Sequence, residues 1–193
     1  MEDKDNQIIK ESWFKDHVAE YQKLNDEVSI LDWGKPRTNF YRVRYVFDRY
    51  MLFISGDIGE AAFRLTWNGT PESFKDVNLG YFFSKIAAYE GGKWDFDSDA
   101  AINELHEWQE RYLEEYEYGD EAADIFEDLF RLITECNSVE YWKQGLLSEG
   151  LYERLSEYDC DCYEWLFSIG QAVPIRIKGY LIGLKMANEQ LQK

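Results

Sequence analysis

Apolar residues near the start of the chain recur at the period of an α-helix. They predict a helix over residues 5–24, with an apolar stripe formed by Ile9, Trp13, His17 and Tyr21. The segment DWGKPRTN, residues 32–39, is rich in turn-forming residues and is predicted to follow this helix as a loop.

Three segments that follow are predicted as β-strands, and the first of them alternates apolar and polar residues strictly. The first covers residues 40–47 and places Tyr41, Val43, Tyr45 and Phe47 on one face and Arg42 and Arg44 on the other. The second and third cover residues 50–55 and 61–67. Because short connections join antiparallel neighbours, the pattern predicts a three-stranded antiparallel meander.

From about residue 77 the helical period dominates the pattern. Helices are predicted over residues 100–118, from Asp120, over residues 139–155, over residues 162–169 and from Pro174 to the end. The predicted fold class is therefore α+β: an N-terminal helix, the three-stranded meander, and a mostly helical acidic C-terminal portion. Without a linker or an internal repeat, we expect a single domain over 1–193. Its portions are 1–92, the helix plus β-meander, and 93–193, the acidic helices.

Charge is distributed unevenly along the chain. Between Asp95 and Glu164 there are 22 acidic and four basic residues, whereas the rest of the chain has 16 acidic and 17 basic residues. The net charge of −17 therefore comes almost entirely from one block of 70 residues. Such a block repels nucleic acid and anionic membranes and attracts cationic surfaces. We therefore expect no direct binding to DNA and no binding to membranes.

The catalytic motifs tested do not fit the sequence. Neither His17 nor His106 has a glutamate three residues before it, as a di-iron bundle requires. A calcium loop is not completed by Asp95, Asp97 and Asp99, because alanine follows where glycine is needed. There is no nucleophile motif of the hydrolase type. We expect a protein that is not an enzyme and that has no metal and no cofactor.

The centre of the acidic block has a regular ladder of carboxylates. Their spacing alternates between three and four residues, so one recurs per helical turn; they are Glu107, Glu110, Glu114, Glu117, Glu121, Asp124 and Asp128. An ordinary solvated helix face is one interpretation, but such faces mix charges of both signs. The other interpretation is a surface that imitates the DNA backbone. Nearby aromatic residues would add contact energy: Tyr116 and Tyr118, with Tyr141, Trp142 and Tyr158.

The predicted sheet offers a different candidate. Arg42, Arg44 and Arg64 are expected on one face, where aromatic and basic residues together could form an RNA-binding platform. Because the neighbouring aromatic residues alternate onto the opposite face, a solvated face, or one paired with the protein's own acidic residues, is the favoured interpretation.

Two segments carry a resemblance. YVFDRYMLFISGDIGEAAFRLTW, residues 45–67, and KWDFDSDAAINELHEWQE, residues 93–110, resemble small acidic proteins of phages and prophages of gut Firmicutes. The overall profile is similar to phage anti-defence proteins, among them anti-CRISPR and anti-restriction inhibitors that mimic DNA. The resemblance implies a cytoplasmic inhibitor in the infected bacterial host. Its partner would be a basic nucleic-acid-binding protein such as a nuclease or a Cas9-like effector. A non-mimic interaction protein or an oligomeric phage accessory protein is the alternative.

Overall fold

A computed structural model divides the chain into two compact units. It describes the backbone of residues 4–115 and 120–193 and the side chains of residues 4–111 and 123–193. The first unit comprises residues 1–93 and 173–193 and is called the sheet unit below. The second comprises residues 94–172 and is called the acidic unit. In chain order, the acidic unit is thus an insertion between two segments of the sheet unit.

The sheet unit contains six strands and three α-helices among the described residues. The strands are β1 (Val18–Lys23), β2 (Val28–Gly34), β3 (Val43–Asp48), β4 (Met51–Gly56), β5 (Ala61–Arg64) and β6 (Ile86–Tyr89). The helices are α1 (Lys4–Ile8), which continues as a π-helical turn (Ile9–Trp13), α2 (Leu79–Ser84) and α8 (Ile175–Leu191), with a 3-10 turn at Pro71–Phe74.

The six strands form one antiparallel sheet in chain order, from β1 to β6. The alternation predicted for β3 is confirmed, because Val43, Tyr45 and Phe47 are buried and Arg44 is exposed. Tyr41 departs from that alternation, since it precedes the strand in a left-handed conformation, with φ 55°, and its side chain is exposed.

The prediction of a three-stranded meander is wrong, because the sheet has six strands. The predicted N-terminal helix ends at Trp13, and Val18–Lys23 pairs with Val28–Gly34 as an antiparallel hairpin. The predicted loop at 32–39 therefore begins within β2. Likewise, the helix predicted after residue 77 ends at Ser84 and continues as β6. In each case a backbone partner elsewhere in the chain decides the structure of a short segment whose own pattern is ambiguous.

The last helix packs in the core of the sheet unit. Ile177, Leu181 and Leu184 of α8 belong to the same buried cluster as the inner face of the sheet. Two buried tyrosines connect the layers: the Tyr45 hydroxyl donates to the Tyr180 carbonyl at 3.0 Å, and the Tyr180 hydroxyl donates to the Ile58 carbonyl at 3.0 Å. The prediction that the chain after the meander is a helical C-terminal portion is wrong, because this helix belongs to the sheet unit.

The acidic unit is mainly helical and has its own core. Its described elements are the ribbon β7 (Asp95–Phe96) with β8 (Gln171–Ala172), and the helices α3 (Ser98–Glu115), α4 (Asp120–Glu135), α5 (Val139–Ser148), α6 (Leu151–Ser156) and α7 (Tyr163–Leu166). Its core includes Leu105, Phe126, Leu129 and Trp142. The ribbon pairs the first and last segments of the unit, Asp95 with Ala172 and Phe96 with Gln171. Among the described residues, no helix is both long enough and apolar enough to cross a membrane.

Candidate protein-interaction surface

Helix α3 carries the first part of the carboxylate ladder. It is capped by Asp97, whose carboxylate accepts a hydrogen bond from the Ala100 amide at 3.0 Å. Asp97 was one of the three aspartates considered for a calcium loop, and here it has a structural role. Ala101 and Leu105 face the core, as the helical period predicts. Glu107 and Glu110 lie on the opposite, exposed side. These two predicted site residues are therefore available to a partner.

Helix α4 divides the other described ladder residues between two environments. Asp124 is exposed. Asp128 is half-buried, and its two carboxylate oxygens pair with Arg131 at 3.1 Å and Arg154 at 2.7 Å. Asp128 thus stabilises the contact between α4 and α6. The spacing of the ladder does not show that Asp128 is paired within the unit whereas other ladder residues are exposed.

Five predicted site residues lie outside the described side chains. Residues 116–119 are outside the described backbone, and side chains are described again only from residue 123. The five are Glu114, Tyr116, Glu117, Tyr118 and Glu121. Their assignment stays a prediction from the sequence.

Exposed carboxylates extend well beyond the predicted ladder. Seventeen acidic residues of the acidic unit have described side chains, and all except Asp128 and Asp159 are exposed. Those outside the ladder are carried by the start of the unit and by all five helices or their ends; they include Glu127, Glu135, Glu140, Glu153, Glu157 and Glu164. The surface is therefore acidic across several helices rather than along one stripe.

The few basic side chains of the acidic unit mainly contact other residues of the same unit. Arg131 bridges Asp128 and Glu149, the latter at 3.1 Å, and Arg154 pairs with Asp128. The Arg111 guanidinium lies over the ring of Trp108, 4.9 Å from its centroid. Trp108 in turn stacks on Trp165, with ring centroids 4.3 Å apart. Three of the four basic residues are thus positioned by internal contacts, which leaves most exposed carboxylates without a cation one turn away.

The aromatic residues expected near the ladder do not share one role. Trp142 was predicted on the surface, but its side chain is fully buried and its indole N–H donates to the Leu166 carbonyl at 2.9 Å. Tyr158 is half-buried, and Tyr141 on α5 is 45% exposed. Two exposed apolar side chains were not predicted, Leu147 (54%) and Tyr163 (53%). Leu147 follows the buried Leu146 and Tyr163 follows the buried Cys162, so the sequence pattern does not separate the exposed member of each pair from the buried one.

Two of the three cysteines, Cys136 and Cys162, are buried in the core of the acidic unit. Burial raises the pKa of the Cys136 thiol to about 11, helped by Glu135 and Glu149. Burial also raises the pKa of Cys162 to about 11, with a further contribution from Asp159. These two thiols therefore stay protonated at neutral pH and are poor nucleophiles. No group of three or more His, Cys, Asp or Glu side chains suited to a metal ion occurs among the described residues.

The basic face predicted for the sheet is neutralised from within the same sheet. Asp32 on β2 accepts hydrogen bonds from Arg42 at 2.8 Å and from Arg44 at 2.9 and 2.8 Å. Burial opposes ionisation of Asp32, but the hydrogen bonds from the two arginines prevail and lower the pKa of its carboxyl. Asp32 offsets part of the positive charge that an RNA-binding platform would need, so the interpretation of a face paired with the protein's own acidic residues is the better one.

One small groove lies on the acidic surface itself. It has a volume of about 260 Å³ between α4 and α6, and it is lined by Asp124, Ile125, Arg154, Glu157 and Tyr158. Exposed carboxylates at Asp124 and Glu157 beside an aromatic ring suit the side chain of a lysine or arginine. A larger polar groove of about 610 Å³ lies in the sheet unit, at the turns after β1 and β3, where Arg49 already pairs with Glu27. No protein-family model, curated protein or solved structure significantly matches this chain.

Proposed function

We propose that the protein is a phage-encoded inhibitor that binds a host nucleic-acid-targeting nuclease stoichiometrically, using the acidic unit in place of DNA. One observation carries the proposal: the excess negative charge coincides with one compact unit. Residues 94–172 hold 22 acidic and four basic residues, whereas the sheet unit holds 16 and 17. A folded unit that concentrates charge in this way presents a strong negative potential to a cationic groove.

The geometry of the helices supports a polyanion-like surface. Glu107 and Glu110 are three residues apart on α3, which corresponds to about 4.5 Å along the helix axis. B-DNA carries one negative charge per about 1.7 Å of axis when both strands are counted. Several acidic helices together approach that density more closely than one helix. Exposed carboxylates lie on or beside each of α3 to α7, which supports this proposal.

The energetic cost of the surface is a further argument. Like charges one turn apart destabilise a helix by about 0.2–0.5 kcal/mol per pair. Most exposed acidic residues of the unit lack a basic residue one turn away, and two of its four cations are bound to Asp128. A balanced surface would be more stable, so we infer that binding compensates for the repulsion.

The nature of the target rests on the resemblance to phage anti-defence proteins. An RNA-guided nuclease of the Cas9 type holds its nucleic acid in a positively charged channel and reads DNA through arginines. Both features would attract the acidic unit. The groove at Asp124 and Glu157 would receive one basic side chain of such a partner.

Competition with DNA provides the test. A purified Cas9-type effector loaded with guide RNA is mixed with a labelled target duplex, and displacement of the duplex by the full-length protein is measured across a salt series. The test variant is Glu107→Lys, Glu110→Lys and Asp124→Lys combined, which changes three exposed residues of the acidic unit. The control combines Glu72→Lys, Asp76→Lys and Glu189→Lys, three exposed residues of the sheet unit with the same total change in charge.

We expect the test variant to lose at least about tenfold in apparent affinity, because electrostatic complementarity governs both encounter and register. The control should behave like the unmodified protein. Affinity of the unmodified protein should fall steeply with salt. Equal effects of the two triple variants, or binding that is indifferent to salt, would contradict the proposal.

The exposed apolar residues of the acidic unit favour a second candidate function. Tyr141, Leu147 and Tyr163 are each about half exposed, and such side chains often anchor protein interfaces. A non-mimic interaction protein would bind through them. Its affinity would fall on Tyr141→Ala or Leu147→Ala and would change little with salt or with the triple charge reversal.

A further inference from the structure

The two faces of the six-stranded sheet differ in what covers them. The inner face carries Leu31, Tyr45, Phe47, Leu52 and Phe63, all fully buried in the core of the sheet unit. On the outer face, the strand registers place five apolar residues side by side across five strands: Ile30, Val46, Phe53, Ala62 and Ala88. Among the described residues, the core of the sheet unit includes none of these five.

This outer row is the centre of an apolar patch. Phe53 is its most prominent member, with 44% of its side chain exposed. Val28 on β2 and Met51 on β4 lie in the next row on the same side, because each is two residues from a member of the central row. Asp48 of β3 lies between them in that row. We call the surface formed by Val28, Ile30, Val46, Met51, Phe53, Ala62 and Ala88 the outer patch.

The size of the outer patch can be obtained from sheet geometry. The outer patch occupies two rows. Together with the polar row of Asp32, Arg44 and Ser55 beside it, the face has three rows about 6.8 Å apart on strands about 4.8 Å apart, which gives an area of about 500 Å² with side-chain width. A contact between two such patches would bury about 1,000 Å² in total, which is near the lower limit for a specific protein interface. The patch therefore suits a weak, reversible association.

The order of charges along β3 matches the outer patch to a second copy of itself. Arg44, Val46 and Asp48 follow one another on its outer face, a cation, an apolar residue and an anion. Two such sheets can face each other across a twofold axis that runs between them, at right angles to the strands, and passes Val46. This axis places Arg44 of each copy opposite Asp48 of the other. Arg44 uses two of its five N–H groups on Asp32, so others remain for this contact.

The surrounding charge also favours a second copy. The sheet unit has 16 acidic and 17 basic residues, so two sheet units do not repel one another strongly. The acidic unit, with 22 acidic and four basic residues, would repel its own copy. Of the two units, only the sheet unit has a charge compatible with self-association.

We propose that the protein forms a homodimer through the outer patch, with the two sheets packed face to face and Arg44 paired with Asp48 across the twofold axis. Facing sheets pack about 10 Å apart, with interdigitating side chains, so Phe53 inserts between the apolar residues of the other copy. The proposal goes beyond the proposed function, since it involves a different unit and a different partner.

Sedimentation of the full-length protein over a range of concentrations tests the proposal. We expect a monomer–dimer equilibrium with a dissociation constant in the micromolar range or weaker, given the small interface. Phe53→Lys should raise that constant by at least about tenfold, because it places two like charges in an apolar contact. The control is Phe40→Lys, which changes an exposed aromatic residue of the sheet unit outside the outer patch and adds the same charge. It should leave the dimer unchanged.

A second variant keeps the test valid if Phe53→Lys affects folding. Asp48 is exposed at the end of β3, and Asp48→Arg would place two arginines opposite each other in the dimer. It should weaken the dimer without changing the circular dichroism spectrum. Salt should strengthen the dimer, because it screens the repulsion between two chains of charge −17. A protein that stays monomeric at every concentration, or a dimer that both variants leave intact, would overturn the proposal.

Discussion

The sheet unit and the acidic unit each fold around a buried core, but they differ in surface charge. Each buries aromatic residues in its own core, Tyr45 and Trp33 in the first and Trp142 and Phe126 in the second. In the sheet unit, the carboxylate of Asp32 binds two arginines. In the acidic unit, most exposed carboxylates with described side chains have no basic residue one helical turn away along the chain. The sheet unit thus forms a buried core without an excess of negative charge.

The difference between the units also predicts opposite responses to salt. Binding of a cationic partner by the acidic unit should weaken as salt screens the attraction. Association of two chains through the outer patch should strengthen, because salt screens the repulsion between their net negative charges. One titration with salt therefore distinguishes the two proposed interactions in the same protein.

The largest expected effect comes from removing the central aromatic residue of the acidic core. Trp142→Ala should lower the free energy of unfolding of the acidic unit by about 3–5 kcal/mol, because a large buried ring and its hydrogen bond to the Leu166 carbonyl are lost. If the two units unfold independently, hydrogen exchange should show loss of protection in residues 94–172 and retained protection in β2 to β5. Equal loss in both units would show that they unfold together.

A matched pair of glycine substitutions compares the packing of the two cores. In Gly183→Ala of α8, the new methyl group would lie 2.5 Å from the Tyr45 hydroxyl and 3.3 Å from Trp33. In Gly145→Ala of α5, it would lie 2.5 Å from a methyl group of Leu132. We expect Gly183→Ala to lower the free energy of unfolding by about 1–3 kcal/mol.

The expected cost of Gly145→Ala is smaller, because the end of the flexible Leu132 side chain can shift, whereas the aromatic rings around Gly183 cannot. The gain of about 1 kcal/mol from replacing glycine by alanine in a helix applies to both substitutions. Thermal unfolding of both variants measures the difference. A larger cost for Gly145→Ala would show that the core of the acidic unit is the more rigid of the two.

The sheet unit should respond to pH through a single buried histidine. Burial lowers the pKa of His17 below 6.5, despite the hydrogen bond between its Nε2 and the Tyr41 carbonyl at 3.1 Å. Above pH 6.5 the imidazole is neutral in both states and contributes nothing. Below it the unfolded chain takes up the proton first, so the free energy of unfolding falls until pH reaches the lowered value.

Replacing the histidine by a neutral donor isolates this effect. His17→Gln keeps an N–H group able to reach the Tyr41 carbonyl and removes the titration. The difference in the free energy of unfolding between about pH 7.5 and about pH 5.5 should be smaller in this variant than in the unmodified protein. Denaturant titrations at both pH values measure it, and identical differences would exclude His17 as the cause.

The smallest expected effect is on the stability of the acidic unit in salt. Screening removes part of the repulsion between neighbouring carboxylates, so salt should raise its free energy of unfolding by about 0.5–1 kcal/mol. The sheet unit, with balanced charges, should change less. Hydrogen exchange at low and high salt compares them residue by residue. An equal gain in both units would mean that salt acts on apolar burial instead.

Part of the fold followed from the sequence because its periodicity is strong. The alternation of β3 and the helices α3, α4 and α8 were predicted close to their observed positions. Residues 18–23 were predicted as helix because Trp13, His17 and Tyr21 are four residues apart, yet β2 supplies a full set of antiparallel partners for this segment. The ladder predicted Glu107, Glu110 and Asp124 as exposed, but it did not separate them from Asp128, since spacing contains no information on Arg154, 26 residues away.

The sequence by itself determined the composition of the two surfaces, because charge counts and local periods need no knowledge of distant residues. It thereby located the acidic block at residues 95–164 and most of its helices. Only the tertiary structure decided that the sheet has six strands, that α8 returns to pack on it, and that Asp128 and Trp142 serve the interior of the acidic unit. These features depend on contacts between residues far apart in the chain, and such contacts leave no periodic signal in the segments that make them.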